Sequence, residues 1–105
     1  MVGPLSNAAS WQSIPRTKEP DGSWSKNDFI TPANAATVQA LLDDMSERAY
    51  PVVPLLNGFC TLIARQVFER CGLFDEEAFP IGYGEETDLC LRAGAHGLAL
   101  VVADD

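Results

Sequence analysis

Apolar residues recur at helical spacing in two stretches of this chain. Val38, Leu41, Leu42 and Met45 lie three, four and seven positions apart, which places them on one stripe of a helix. Thr31-Pro32 stands before that stripe as a hydroxyl cap followed by proline at the first helical position, so the helix is expected to begin there and to pack on a sheet. Glu86, Leu89, Cys90 and Ala93 form the second stripe, on a helix running from about residue 85 to 96 and ended by Gly97. Arg65 to Cys71 reads as a shorter helix closed by Gly72.

The remaining apolar positions are continuous rather than periodic. Val52 to Ala64, interrupted by Pro54 and Asn57-Gly58, reads as a buried strand entered through a turn, and Leu98 to Ala103 as another. Val2 to Leu5 reads as the end of a strand. Residues 6–30 carry Pro15, Pro20, Gly22 and scattered polar groups without a period, which predicts a long, mobile loop. Alternating strands and helices predict an α/β fold: a three-layer sandwich with a small, mostly parallel or mixed sheet and about three helices.

Length and charge narrow the classes of function. A chain of 105 residues, 47% hydrophobic, has the size of one domain with one modest core. The net charge of −8 and only seven lysines and arginines argue against nucleic acid, whose phosphates are held mainly by those residues. No apolar run approaches the roughly 20 residues that span a bilayer, and no signal sequence follows Met1, so a soluble cytoplasmic protein is expected. Cys60, Cys71 and Cys90 form no Cys-x-x-Cys pair and are expected to be buried free thiols, and no residue set is assigned to a metal.

Chemistry concentrates in Gly82-Tyr83-Gly84-Glu85-Glu86-Thr87-Asp88-Leu89-Cys90-Leu91-Arg92. Carboxylates at a helix N-terminus are stabilised by the backbone dipole, which is sufficient reason for one of them. Asp88 has Arg92 four positions later, the spacing of a helical ion pair. Glu86 has no local partner and stands at the edge of an apolar face, which makes it a candidate general base. Tyr83, between two glycines, is the best candidate aromatic ring for ligand contact, with simple loop packing as the alternative.

Four blocks then occur in a telling order: Val2-Gly3-Pro4-Leu5-Ser6-Asn7-Ala8-Ala9-Ser10, Asn57-Gly58-Phe59-Cys60, Cys71-Gly72-Leu73-Phe74-Asp75-Glu76, and Gly82 to Ala93. Together they resemble the C-terminal half of the catalytic domain of family 2 glycosyltransferases, nearest the rhamnosyltransferase-like bacterial members. The resemblance implies a partial GT-A fold and an inverting transfer from a nucleotide-sugar donor to a saccharide or lipid-linked acceptor. It implies an acidic pair as base, with Glu85 matching the first member, Glu86 the second, and Asp88 another acidic position. Ser6, Asn7, Asn57, Gly58, Phe59, Tyr83, Gly84 and Arg92 fall on the substrate side of the matched blocks.

The resemblance also implies a divalent cation, Mg²⁺ or Mn²⁺, held by an Asp-rich motif in a nucleotide-binding half that precedes the matched region. Asp43-Asp44 and Asp104-Asp105 are the only adjacent aspartates here, the first pair in a helical pattern and the second at the chain end, so neither is assigned to that motif. The chain is therefore expected to be an acceptor-side half-domain, inactive alone, self-associating through exposed edges, from a parent peripheral to the inner membrane. Two readings stay open for Asn57-Gly58-Phe59, a substrate-facing turn or a strand-initiating turn with Phe59 in the core. For the whole, a non-catalytic acidic interaction module is the alternative.

Overall fold

A computed structural model describes residues 1–105 as a small mixed α/β domain. Strand β1 (Val2–Pro4) and strand β2 (Val101–Ala103) pair in parallel, with Val2 opposite Val101, Gly3 opposite Val102 and Pro4 opposite Ala103. The two ends of the chain thus form the sheet. Between them lie a single 3₁₀ turn (Ser10–Gln12) and helices α1 (Ala35–Met45), α2 (Arg65–Cys71) and α3 (Glu85–Ala95).

The expected strand over 52–64 is reduced to two single bridges, Val52 to Val101 on one outer edge of the sheet and Leu62 to Val2 on the other. Pro51 and Pro54 have no N–H to donate and Asn57-Gly58 turns the chain, so no continuous ladder forms between them. The same residues still tie the sheet in place: Val53 donates to Leu100 and Val102 to Pro51, at 2.9 and 3.0 Å. Val52 and Leu62 themselves face outward, and the buried residue of the segment is Leu56.

The core is Leu56, Val67, Leu89, Cys90, Ala93, Leu100 and Val102. The stripe on α3 faces it as expected, with Leu89, Cys90 and Ala93 almost fully buried and Glu86 at its outer end. Helix α2 ends where predicted, because Gly72 takes φ of 81°, a region that side-chain-bearing residues avoid. Of the three thiols, Cys90 is buried, Cys71 half-buried and Cys60 exposed, so the expectation of three buried cysteines fails at Cys60, which follows the turn into solvent.

Helix α1 departs from its prediction twice. It starts at Ala35 rather than at Thr31-Pro32, because Asn34 turns its side chain backwards: its Oδ1 accepts from Thr31 N–H at 2.7 Å and its Nδ2 donates to Phe29 O at 2.7 Å. Residues 31–34 are consumed in that turn. The helix also buries no residue, and its stripe borders a groove with Ile14, Pro15, Phe29 and Ile30. Leu41 and Met45 are exposed as a result.

Residues 6–30, expected to be mobile, carry many internal ties. Asn27 Nδ2 donates to the carbonyls of Asn7 and Arg16, both at 3.0 Å, and Gln12, Ser13, Ser25 and Asn27 are all buried. Buried polar side chains here satisfy backbone groups that a regular ladder would otherwise satisfy.

Candidate functional site

The backbone enters α3 through three successive left-handed residues, Gly82, Tyr83 and Gly84, at φ of 82°, 65° and 129°. A Cβ at Gly84 would lie 2.8 Å from Phe79 Cε1, so both conformation and space demand glycine there. Tyr83 has a side chain in this strained region and is 94% exposed, its ring unpacked.

The three acidic residues of the first turn then diverge. Asp88 turns to Arg92, whose Nε donates to its Oδ2 at 2.8 Å. Arg92 in turn donates to the carbonyls of Cys71 and Leu73, which binds α3 to the end of α2. The predicted ion pair exists, and it commits both groups to structure. Neither Asp88 nor Arg92 faces the acidic cleft.

Glu86 points to the Asn57-Gly58 turn, where a Cβ added at Gly58 would lie 3.3 Å from its Cγ. Its Oε2 accepts only a long hydrogen bond, 3.4 Å, from Gly84 N–H, so the carboxylate is weakly engaged as a cap. Glu85 folds back over Gly82, and its Oε2 is enclosed without a hydrogen-bond partner. Both carboxylates line one open cleft of about 390 Å³ with Asn57, Gly58, Phe59, Ile81, Gly82 and Tyr83. Phe59 is exposed at 58%, which removes it from the core and places it on the rim.

Of the residues singled out in the sequence, six therefore meet: Asn57, Gly58, Phe59, Tyr83, Glu85 and Glu86. Gly84 stands behind the cleft as the turn that aims α3. Ser6 and Asn7 line a different cavity, against Ile30 and Val38, that shares no residue with the acidic cleft.

No three Asp, Glu, His or Cys side chains converge as a cation site. Three of the four adjacent aspartates are engaged elsewhere: Asp43 accepts from Gln39, Asp104 from the N–H groups of Ala49 and Tyr50, and Asp105 from the Tyr50 hydroxyl. The residues present do not fit Mg²⁺ or Mn²⁺, which take several converging oxygens.

One residue of the site has no signal in the sequence. Gln12 is 1% exposed, donates from Nε2 to Pro4 O at 2.8 Å and accepts at Oε1 from Asn57 N–H at 2.7 Å. It fixes the glycine turn that faces Glu86. A polar residue in an irregular segment reads as solvated, and only the contact across the fold reveals otherwise. Comparison with protein-family models, curated proteins and solved structures gives no match to this chain.

Proposed function

We propose that this chain forms the acceptor side of an inverting glycosyltransferase of GT-A type, similar to family 2, with Glu86 as the general base. The observation that carries the reading is the meeting of two sequence-distant blocks in one cleft, the Asn57-Gly58-Phe59 turn and the Tyr83-Gly84-Glu85-Glu86 start of α3. Glycine at 58 lets the turn approach Glu86 closely, since a Cβ there would press on Glu86 Cγ at 3.3 Å.

In this reading an acceptor hydroxyl gives its proton to a Glu86 carboxylate oxygen as its own oxygen attacks the anomeric carbon of the donor sugar. The bond from that carbon to the nucleotide diphosphate breaks with inversion, and the leaving group departs with the electron pair. Glu85, enclosed beside Gly82, supports the turn that presents Glu86, and Tyr83 and Phe59 offer ring faces at the rim. In this reading the nucleotide-sugar donor and its divalent cation are held by a nucleotide-binding half of the enzyme. The acceptor in this reading is a saccharide, free or lipid-linked, met at the cytoplasmic side of a membrane, and no helix of this chain is long and apolar enough to cross one.

The test is Glu86→Gln in a protein that joins this chain to a nucleotide-binding half and transfers sugar. Loss of turnover by about 10²- to 10⁴-fold, with folding unchanged, is the expected result. Full transfer by that variant would instead favour the acidic interaction module, for which the exposed Ile81 and Tyr83 beside the two carboxylates are the supporting observation.

A further inference from the structure

Glu86 and Asn57, which line the acidic cleft, also line a second, smaller pocket. That pocket, about 140 Å³, is bounded by Trp11, Trp24, Leu55 and Leu56 on its apolar side and by Ser10, Asn57, Glu86 and Thr87 on its polar side. The two indoles meet edge to face, with ring centroids 5.2 Å apart and planes at 72°. Each remains more than two-fifths exposed, a large unsatisfied apolar area for the residue type.

Both walls are held rigidly. Trp11 sits in the 3₁₀ turn beside Gln12, whose side chain is clamped between Pro4 and Asn57. Trp24 sits on a tight bend in which Lys18 and Trp24 bridge, Glu19 N–H donates to Ser23 O at 2.9 Å, and Ser25 Oγ donates to Glu19. Asp21 closes the bend by accepting from the N–H and hydroxyl of Ser23 at 2.9 and 2.7 Å. Pre-set walls spare a ligand the cost of ordering them.

We infer that this pocket is a seat for one neutral sugar ring, with an apolar face against the indoles of Trp11 and Trp24 and hydroxyls toward Glu86, Asn57, Ser10 and Thr87. Half of the lining is aromatic or aliphatic and half can donate or accept hydrogen bonds, which matches the two-faced surface of a pyranose. A small cation fits less well. Lys18 Nζ already lies 3.2 Å from the centre of the Trp24 ring, so a second cation on that indole would face a like charge. The identity of the occupant as the acceptor rests on the proposed function. Since Glu86 lines both spaces, a ring seated in this pocket would direct a hydroxyl to the carboxylate proposed as base.

Trp11 and Trp24 are the only two tryptophans of the chain, so its indole emission reports on this pocket alone. The 105-residue chain is titrated with the methyl glycosides of glucose, galactose, mannose and N-acetylglucosamine at millimolar concentrations, and with choline. A saturable emission change with at least one glycoside is expected, weakened about tenfold or more in Trp11→Ala and in Trp24→Ala, each read from the remaining indole. Trp24→Phe, which keeps a ring face, is expected to retain most of the binding. If an alanine variant does not fold by circular dichroism, Glu86→Gln replaces it and is expected to weaken binding severalfold through the lost acceptor oxygen.

No saturable response to any glycoside, a response to choline alone, or unchanged binding in the folded variants would overturn the inference. Glycoside binding together with full transfer by Glu86→Gln would remove the catalytic reading and keep the pocket. Absent binding together with transfer lost in Glu86→Gln would remove the pocket and keep the catalytic reading.

Discussion

Gln12 Oε1 accepts a hydrogen bond from Asn57 N–H at 2.7 Å across 45 positions of sequence, and this single contact joins the irregular N-terminal segment to the turn that faces Glu86. The other end of the same side chain is held by Pro4, and Gly3 lies flat beneath it: a Cβ there would sit 2.5 Å from Gln12 Nε2. Gln12→Ala should cost about 1–3 kcal/mol by stranding two backbone groups that the buried amide now satisfies. Gly3→Ala should destabilise by displacing the same clamp. Urea unfolding of both variants checks this, and loss of stability without altered Asn57 and Gly58 amide shifts would contradict the clamp's role at the turn.

Arg92 is a strut. Its guanidinium is shared among Asp88 and the carbonyls of Cys71 and Leu73, so Arg92→Lys cannot reproduce the fork and should destabilise the α2–α3 junction by about 1–3 kcal/mol. Asp88→Asn should cost less than Arg92→Lys, because the two carbonyl contacts persist. Denaturant midpoints decide it: an Arg92→Lys protein as stable as the wild type, yet impaired in sugar binding, would return this residue to the substrate side.

Much of α3 was legible in the sequence because period and chemistry agree there: the apolar stripe, the Asp88–Arg92 spacing and the glycine boundaries each have a local physical cause. Helix α1 shows the limit. Its stripe is as regular, but periodicity states only which residues share a face and not whether another element covers it, and here none buries it. Its start was misplaced since Thr31-Pro32 is chemically as good an opening for a turn as for a helix, and Asn34 decides between them through contacts to Thr31 and Phe29. The acidic cleft was half legible, its two blocks visible as motifs. Gln12, Trp11 and Trp24 were not, because their roles depend on contacts across the fold rather than on neighbours in sequence.

The exposure of α1 has a direct consequence for mutation. Leu41→Gln and Met45→Lys should each change stability by no more than about 0.5 kcal/mol, whereas Leu89→Ala, which empties part of a fully buried site, should cost about 2–5 kcal/mol. Thermal unfolding of the three variants separates them. A large loss from Met45→Lys would mean that its stripe is covered in solution, and sedimentation would then show whether a second copy covers it.

Burial pushes the Cys90 thiol above its ordinary range, the Glu86 carboxylate adds to the rise, and the hydrogen bond with Leu56 opposes it. A raised folded value favours the protonated thiol, so its contribution to stability is complete below the ordinary thiol value of about 8.5 and is lost as pH climbs from there towards the folded value. Melting temperature against pH should therefore fall more steeply on the alkaline side for the wild type than for Cys90→Ala. At neutral pH a thiol reagent should label exposed Cys60 first, Cys71 next and Cys90 only on unfolding. Equal alkaline slopes, or early labelling of Cys90, would contradict the burial.

The most direct measurement is a nuclear magnetic resonance titration of the isotopically labelled chain with acceptor sugars and, separately, with nucleotide sugars in the presence and absence of Mg²⁺ or Mn²⁺. Shifts induced by acceptor sugars and grouped at Asn57 to Phe59, Tyr83 to Asp88 and the two indole N–H signals, with no response to nucleotide sugars, are the predicted result. Shifts from the nucleotide sugars, or acceptor shifts grouped away from both Glu86 and the glycine turn, would contradict an acceptor-side site built on that carboxylate.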